Sequence, residues 1–189
     1  GRLQPRLSHH GATLIDDTYN ANPDSVRAGI DVVTGLGSQA WLVLADMGEL
    51  GEHARDSHLQ VGSYARAAGI TRLFASGELS RLAVDAFGSG ATWYPDVPAM
   101  GAAVDAQLHA DVCVLVKGSR FNRLERVVAT LTGTPAPILG DLNLDGRVDG
   151  ADLGLMLSGW GQPGNTDLNR DGTTNGADLG LQLSNWTAG

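Results

Sequence analysis

The sequence of 189 residues predicts an α/β fold, a mostly parallel sheet with helices on both faces, followed by a small all-α module of two loop–helix repeats. Three observations point there. Short β-rich runs alternate with helix-like stretches over residues 1–133, the pattern of strands joined by crossover helices. The run VCVLV at 112–116 is apolar throughout, as suits a strand covered on both sides. From residue 140 onward, a twelve-residue acidic pattern occurs twice.

Taken in order, strands are predicted at 12–16, 41–45, 72–75, 92–94 and 111–116. Helices are predicted between and after them, at 24–36, 52–68, 79–87, 98–108 and 122–131. Pro23 suits the first turn of the first helix, Asn22 the cap before it, and Gly69 the stop of the second. The segment 134–139, which holds Pro135 and Pro137, reads as a short, stiff linker between a domain at 1–133 and a module at 140–189.

Ligands of open parallel sheets bind beyond the carboxyl ends of the strands. The polar side chains of this sequence collect there. Asp17, Tyr19, Asn20 and Asn22 follow the first predicted strand, Asp46 and Glu49 the second, and Lys117, Ser119 and Arg120 the last. Lys117 is the only lysine, against twelve arginines. For the loop at 17–22, turn and helix-capping chemistry calls for the same residue types without any ligand.

The acidic repeats are DLNLDGRVDGAD at 141–152 and DLNRDGTTNGAD at 167–178, offset by 26 residues and identical at eight of twelve positions. Side-chain oxygens stand at loop positions one, three, five, nine and twelve. These are Asp141, Asn143, Asp145, Asp149 and Asp152 in the first loop, and Asp167, Asn169, Asp171, Asn175 and Asp178 in the second. Position seven, Arg147 or Thr173, would add a backbone carbonyl, and Gly146 and Gly172 admit a sharp turn at position six. Ca²⁺ takes roughly six to eight oxygens at flexible distances, so the spacing predicts two calcium ions, one per loop. All seven Asp of the tail fall on ligand positions, an order that a merely solvated acidic segment would not keep. Mg²⁺ fits less well, because it prefers fewer protein ligands in strict octahedral geometry. Each loop leads into an amphipathic helix, with Leu153, Met156, Leu157 and Trp160 on one face of the first and Leu179, Leu183 and Trp186 on that of the second.

Over residues 140–186 this arrangement resembles the type I dockerin repeat. The resemblance implies two loop–helix units packed with approximate two-fold symmetry and a cohesin-like protein partner. The pairs before the last ligand, Gly150–Ala151 and Gly176–Ala177, depart from the hydroxyl residues many dockerins carry there.

In the body, GATLIDDTYNANPDSVRAGI (11–30), LADMGELGEHARDSHLQVG (44–62) and VLVKGSRFNRLERVV (114–128) resemble, in order and spacing, the C-terminal domain of the MurF ligases. Those enzymes add D-alanyl-D-alanine to the UDP-N-acetylmuramoyl-tripeptide of peptidoglycan. Ala45 stands where that family usually has Gly. The resemblance implies a Rossmann-like domain that closes over an ATP-bearing central domain. It places Asp17, Tyr19, Asn20 and Asn22 toward nucleotide and the domain interface, Lys117, Ser119 and Arg120 toward anionic groups of the substrate, and counts Asp46 among the nucleotide- or substrate-binding residues. ATP and Mg²⁺ then act only together with upstream ligase domains. The sequence itself contains no G-x-x-x-x-G-K-[ST], Lys117 lying in KGS, so this polypeptide is not expected to ligate anything alone.

Net charge is −8, of which the tail from Gly140 carries −5, which argues against a nucleic-acid or anionic-membrane partner. No apolar run approaches the ~18 residues of a membrane span, and no secretory-signal pattern opens the sequence. The single Cys113 reads as a buried small hydrophobe that permits no intrachain disulfide. His9 and His10 read as exposed loop, while His53 and His58, five apart, do not share a helix face. Two functions stay open. One is the closing domain of a cytoplasmic ligase; the other is an extracellular, calcium-dependent cohesin-type binding module with the α/β domain as cargo.

Overall fold

The computed structural model of the chain describes residues 3–36, 39–134, 138–143, 145–169 and 171–187. Two compact units are present, Gly1–Pro135 and Ala136–Gly189. The centre of the expected linker, 135–137, lies outside the described residues.

In the first unit a six-stranded sheet has the order β1-β2-β6-β3-β4-β5. Its strands are β1 (Gln4–Leu7), β2 (Thr13–Asp17), β3 (Gln39–Ala45), β4 (Arg72–Ser76), β5 (Ala91–Tyr94) and β6 (Val112–Lys117). All neighbouring pairs are parallel except β1 with β2. The connecting helices are α1 (Pro23–Thr34), α2 (Ala54–Ala67), α3 (Ser80–Phe87), α4 (Val97–Asp105) and, after β6, α5 (Glu125–Thr132). The fold is therefore the mixed α/β class with a mostly parallel sheet. β1 was not expected: its four residues are all exposed, and Pro5 is tolerated because the strand lies at the sheet edge.

Both faces of the sheet are covered. Cys113 and Leu115 of β6 join one core with Val26, Ile30 and Val33 of α1 and Val61 and Ala65 of α2. Val112, Val114 and Val116 point the other way, into a second core with Met100 and Val104 of α4 and Val127 and Leu131 of α5. The period of two along a wholly apolar strand thus feeds two cores at once. Where α2 crosses α3, a Cβ on Gly62 would lie 2.1 Å from the Ala83 carbonyl oxygen, so the approach of these helices requires glycine.

In the second unit two helices, α6 (Gly150–Ser158) and α7 (Gly176–Ser184), each follow one acidic loop. The expected apolar faces bury only in part. Met156 is fully buried and Leu153 partly, but Leu157, Trp160, Leu183 and Trp186 are between 42% and 54% exposed. Gln182, 26 residues after Met156, is buried in its place on α7 and donates to the Gly140 carbonyl at 3.1 Å. No described helix is long and apolar enough to cross a membrane.

Candidate functional site

Strands β2 and β6 are neighbours, yet the helices that follow them leave to opposite faces, α1 to one core and α5 to the other. Open α/β sheets take their ligands at the carboxyl ends of the strands, next to such a divergence. The loops after β2, β3 and β6 meet there.

Lys117 closes β6 and is buried, with its Nζ donating to Asp17 Oδ2 at 2.5 Å and to the Asn20 carbonyl at 3.0 Å. Its charge is therefore matched within the fold, rather than turned outward toward an anionic group as the resemblance implies. Asp17 is 7% exposed, and its neighbour Asp16 accepts from the Thr18 hydroxyl at 2.8 Å and from Arg6 Nε of β1 at 3.1 Å. The edge strand thus supplies a cation to the base of the same loop.

Ser119 ties the three loops together. Its Oγ accepts from Gly48 N at 2.7 Å and donates to the Ala21 carbonyl at 3.3 Å. Its own N–H donates to the Asp46 carbonyl at 3.2 Å, and Asn122 Nδ2 donates to that same carbonyl at 2.7 Å. The Asp46 carboxylate is spent on α3: Oδ1 accepts from Ser80 N and Ser80 Oγ, both at 2.7 Å, and Oδ2 from Leu79 N at 3.3 Å. His58, fully buried, accepts the Met47 N–H on Nε2 at 3.0 Å while Nδ1 faces the Ala54 carbonyl at 2.7 Å, which fixes the proton on Nδ1.

Asn22 caps α1, its Oδ1 accepting from Ser25 N at 2.9 Å while its own N–H donates to Ser25 Oγ at 3.1 Å. Of the remaining expected residues, Tyr19 is 48% exposed, Asn20 is exposed, and Arg120 is half-buried and in no ion pair with a described residue. The site therefore has a layered form. Asp17, Lys117, Ser119 and Asp46 build and brace it, while Tyr19 and Asn20 are exposed beside them and Arg120 is half-buried. His58, Ser80 and Asn122 belong to the bracing but have no spacing signature, since their partners are backbone groups or carboxylates brought in by the fold.

The two acidic loops of the second unit share most of their hydrogen bonds, the second adding donations from Asn175 Nδ2 to Asp171 and to the Thr173 carbonyl. Asp141 accepts from Asp145 N and Gly146 N at 3.2 and 2.9 Å; Asp167 accepts from Asp171 N and Gly172 N at the same distances. Gly146 and Gly172 have φ of 89° and 95°, a left-handed turn at position six of each loop. Asn143 and Asn169 each donate to the carboxylate at position five, which in turn accepts the N–H of Arg147 or Thr173. Asp149 and Asn175 cap α6 and α7 through Ala151 N and Ala177 N. Asp152 and Asp178, both fully buried, accept the N–H groups at positions two, three and nine of their loops. Burial alone would raise the Asp152 carboxyl, but the N–H donors of Asp149, Asn143 and Leu142 outweigh it and hold the group below its ordinary range. The Asn169 and Asn175 amides with Thr173 N do the same for Asp171. Among the described residues, no three tail carboxylates bring their oxygens within 4.8 Å of one another; the loops' own donors hold them apart.

Residues 1–120 match the family described as Mur ligase, glutamate ligase domain. The chain is similar to the UDP-N-acetylmuramoyl-tripeptide–D-alanyl-D-alanine ligase of Escherichia coli (strain K12), 36% identical over 133 residues, which cover 69% of this chain and 29% of that enzyme. The enzyme of the same name from Mycobacterium tuberculosis (strain H37Rv) is 40% identical over 82 residues, covering 40% of this chain and 16% of its own length. Among solved structures, MurF from Acinetobacter baumannii superimposes with a TM-score of 0.62 at 27% identity, over 71% of this chain and 30% of that one. The MurF ligase of Thermotoga maritima in complex with ADP shares the fold, with a TM-score of 0.61 at 24% identity, over 70% and 30% of the two chains. The chain spans less than a third of the length of the curated relatives it matches.

Proposed function

This chain belongs to the Mur ligase family, and from that premise we propose that residues 1–133 act as the C-terminal closing domain of an ATP-dependent ligase joining D-alanyl-D-alanine to a UDP-N-acetylmuramoyl-tripeptide in the cytoplasm. The observation that carries the reading is the meeting of the loops after β2, β3 and β6 at the strands' carboxyl ends, locked by Ser119, with Tyr19 and Asn20 exposed and Arg120 half-buried in the same loops. A closing domain must present a rigid surface to a nucleotide and an incoming dipeptide held elsewhere, because the transition state of phosphoryl and acyl transfer rewards positioning above all. Arg120, in no ion pair within the described unit, is suited to a phosphate or carboxylate. ATP and Mg²⁺ supply the activation of the substrate carboxyl when held by upstream ligase domains; this chain's residues orient and shield what those domains hold.

The test is complementation in trans. The chain is mixed with a MurF ligase cut back to its first two domains, and phosphate release dependent on D-alanyl-D-alanine is followed. Restored turnover, lost again with Arg120→Ala, supports the reading; turnover no greater than that of the truncated enzyme sinks it.

A second reading concerns residues 140–189, joined to the first unit through 134–139. We infer that each loop takes one calcium ion, on Asp141, Asn143, Asp145, Asp149, Asp152 and the Arg147 carbonyl, and on their counterparts Asp167, Asn169, Asp171, Asn175, Asp178 and Thr173. What favours it is the duplicated hydrogen-bond pattern, which places the same oxygen donors in the same order around two left-handed turns. Binding requires the position-five carboxylate to give up its amide donor and swing toward Asp141 or Asp167. A cohesin-like partner and an extracellular setting belong to this reading. Calorimetric titration with calcium that shows no heat and no change in helicity would refute it.

A further inference from the structure

His9 and His10 follow β1 and precede β2, at the amino-terminal edge of the parallel strands and so at the opposite end of the sheet from Asp17 and Lys117. The sequence presents them as an exposed pair. The fold adds a third residue, Asp105, the last residue of α4. His9 Nε2 lies 2.9 Å and His10 Nε2 3.3 Å from the same atom, Asp105 Oδ1. The three ligand atoms are all within 4.8 Å of one another. The imidazole rings stand at 66° with centroids 4.2 Å apart, so they do not stack and both nitrogens reach one point.

Asp105 Oδ1 is the telling atom. It is shielded from solvent, yet no described residue hydrogen-bonds to it: the two nitrogens are close without being aligned as donors. An acceptor removed from water and left without a donor is destabilising, and such atoms are rare without a water, an ion or a function to account for them. A cation between the three atoms removes that cost and separates the lone pairs.

We propose that His9 Nε2, His10 Nε2 and Asp105 Oδ1 form a binding site for a divalent transition metal of the zinc type. Ligands held ~2.0–2.2 Å from a tetrahedral ion lie about 3.3 Å from each other, close to the two nitrogen–oxygen separations of 2.9 and 3.3 Å. Two imidazoles with one carboxylate select zinc, cobalt, nickel or copper over calcium and magnesium, which take oxygen. Three protein ligands leave a further position facing solvent, since both histidines are exposed. The turn is already set: Ser8 N donates to the Ala12 carbonyl, Ala12 N to Ser8 Oγ, and His9 N to the Leu131 carbonyl. Binding there joins the β1–β2 turn to α4 without touching the loops at the other end of the sheet.

The experiment uses the full chain with Co²⁺ as probe, in millimolar CaCl₂ so that the tail carboxylates are already engaged. One equivalent of Co²⁺ giving intense visible d–d bands, displaced by Zn²⁺, is expected, with His9→Gln, His10→Gln and Asp105→Asn each weakening binding at least ten-fold. Equal absorbance in the His9→Gln/His10→Gln double variant, or weak octahedral spectra alone, overturns the site. Should a variant misfold, amide NMR of the wild-type chain decides: Zn²⁺ shifting the resonances of His9, His10 and Asp105 supports the proposal, and shifts confined to the tail loops refute it.

Discussion

Lys117 donates to Asp17 at the register position where β2 and β6 end side by side, and both side chains are almost wholly withdrawn from water. A buried ion pair is weak evidence of net stability, but breaking it leaves one charge uncompensated. Lys117→Met or Asp17→Ala should therefore cost about 3–5 kcal/mol, while Asp17→Leu combined with Lys117→Met should recover much of that loss. Urea unfolding followed by circular dichroism measures it. A cost below ~1 kcal/mol for Lys117→Met would mean that water reaches the pair.

Gly62 on α2 meets the backbone of α3, not a movable side chain. An added methyl would stand 2.1 Å from the Ala83 oxygen, so the helices must separate. Despite the better helix propensity of alanine, Gly62→Ala should destabilise the sheet unit by about 1–3 kcal/mol or more. An unchanged thermal midpoint would show that α2 and α3 slide apart at no cost.

What the sequence made legible, and what it hid, follows from the range of the interactions. The apolar run 112–116 announces a doubly covered strand because each face is signalled by its own alternate residues. β1 left no such trace: Gln4, Pro5, Arg6 and Leu7 are all exposed, and the strand exists only by pairing with β2. The gathering of polar groups at the strand ends could be read from topology, but not their internal pairing. Lys117 and Asp17 are a hundred residues apart, and an outward lysine and a buried one look alike in sequence. The same holds for Asp105 beside His9 and His10. In the tail, helical period marked the apolar stripe but not its width, so Leu157 and Trp160 were expected inside and lie exposed.

Tyr64 donates its hydroxyl to Asp31 Oδ1 at 2.6 Å, joining α2 to α1. That hydrogen bond, then desolvation and the Asp31 charge, push the phenol above its ordinary value, against a smaller opposite effect of Arg27. A folded-state pKa raised above the unfolded one gives stability that is complete below the ordinary phenol range and is lost as pH climbs through the raised value. Tyr64→Phe should therefore fall short of wild type at neutral pH and lose that deficit as pH climbs through the raised value. Unfolding free energies of the two proteins measured from neutral to strongly alkaline pH check this; a constant difference would show that the hydrogen bond does not persist in solution.

Asp152 and Asp178 separate the intrinsic architecture of the tail from its chemistry with metal. Each carboxylate accepts three N–H groups of its own loop, and each is fully buried, so these two residues hold the loops closed whether or not an ion is present. Asp152→Ala leaves those donors without an acceptor, at about 1–3 kcal/mol, and should loosen the tail even in excess calcium. Asp145 and Asp171 are exposed and engaged mainly by amides, so their replacement by Ala should change little in EDTA but remove the gain that calcium gives. At calcium a hundred-fold above its dissociation constant that gain is about 2.7 kcal/mol. Differential scanning calorimetry of the full chain should then show two transitions, with only that of the tail moving between EDTA and calcium. If Asp145→Ala responds to calcium as wild type does, the position-five carboxylate is not a ligand, and the loops are closed by their own hydrogen bonds alone.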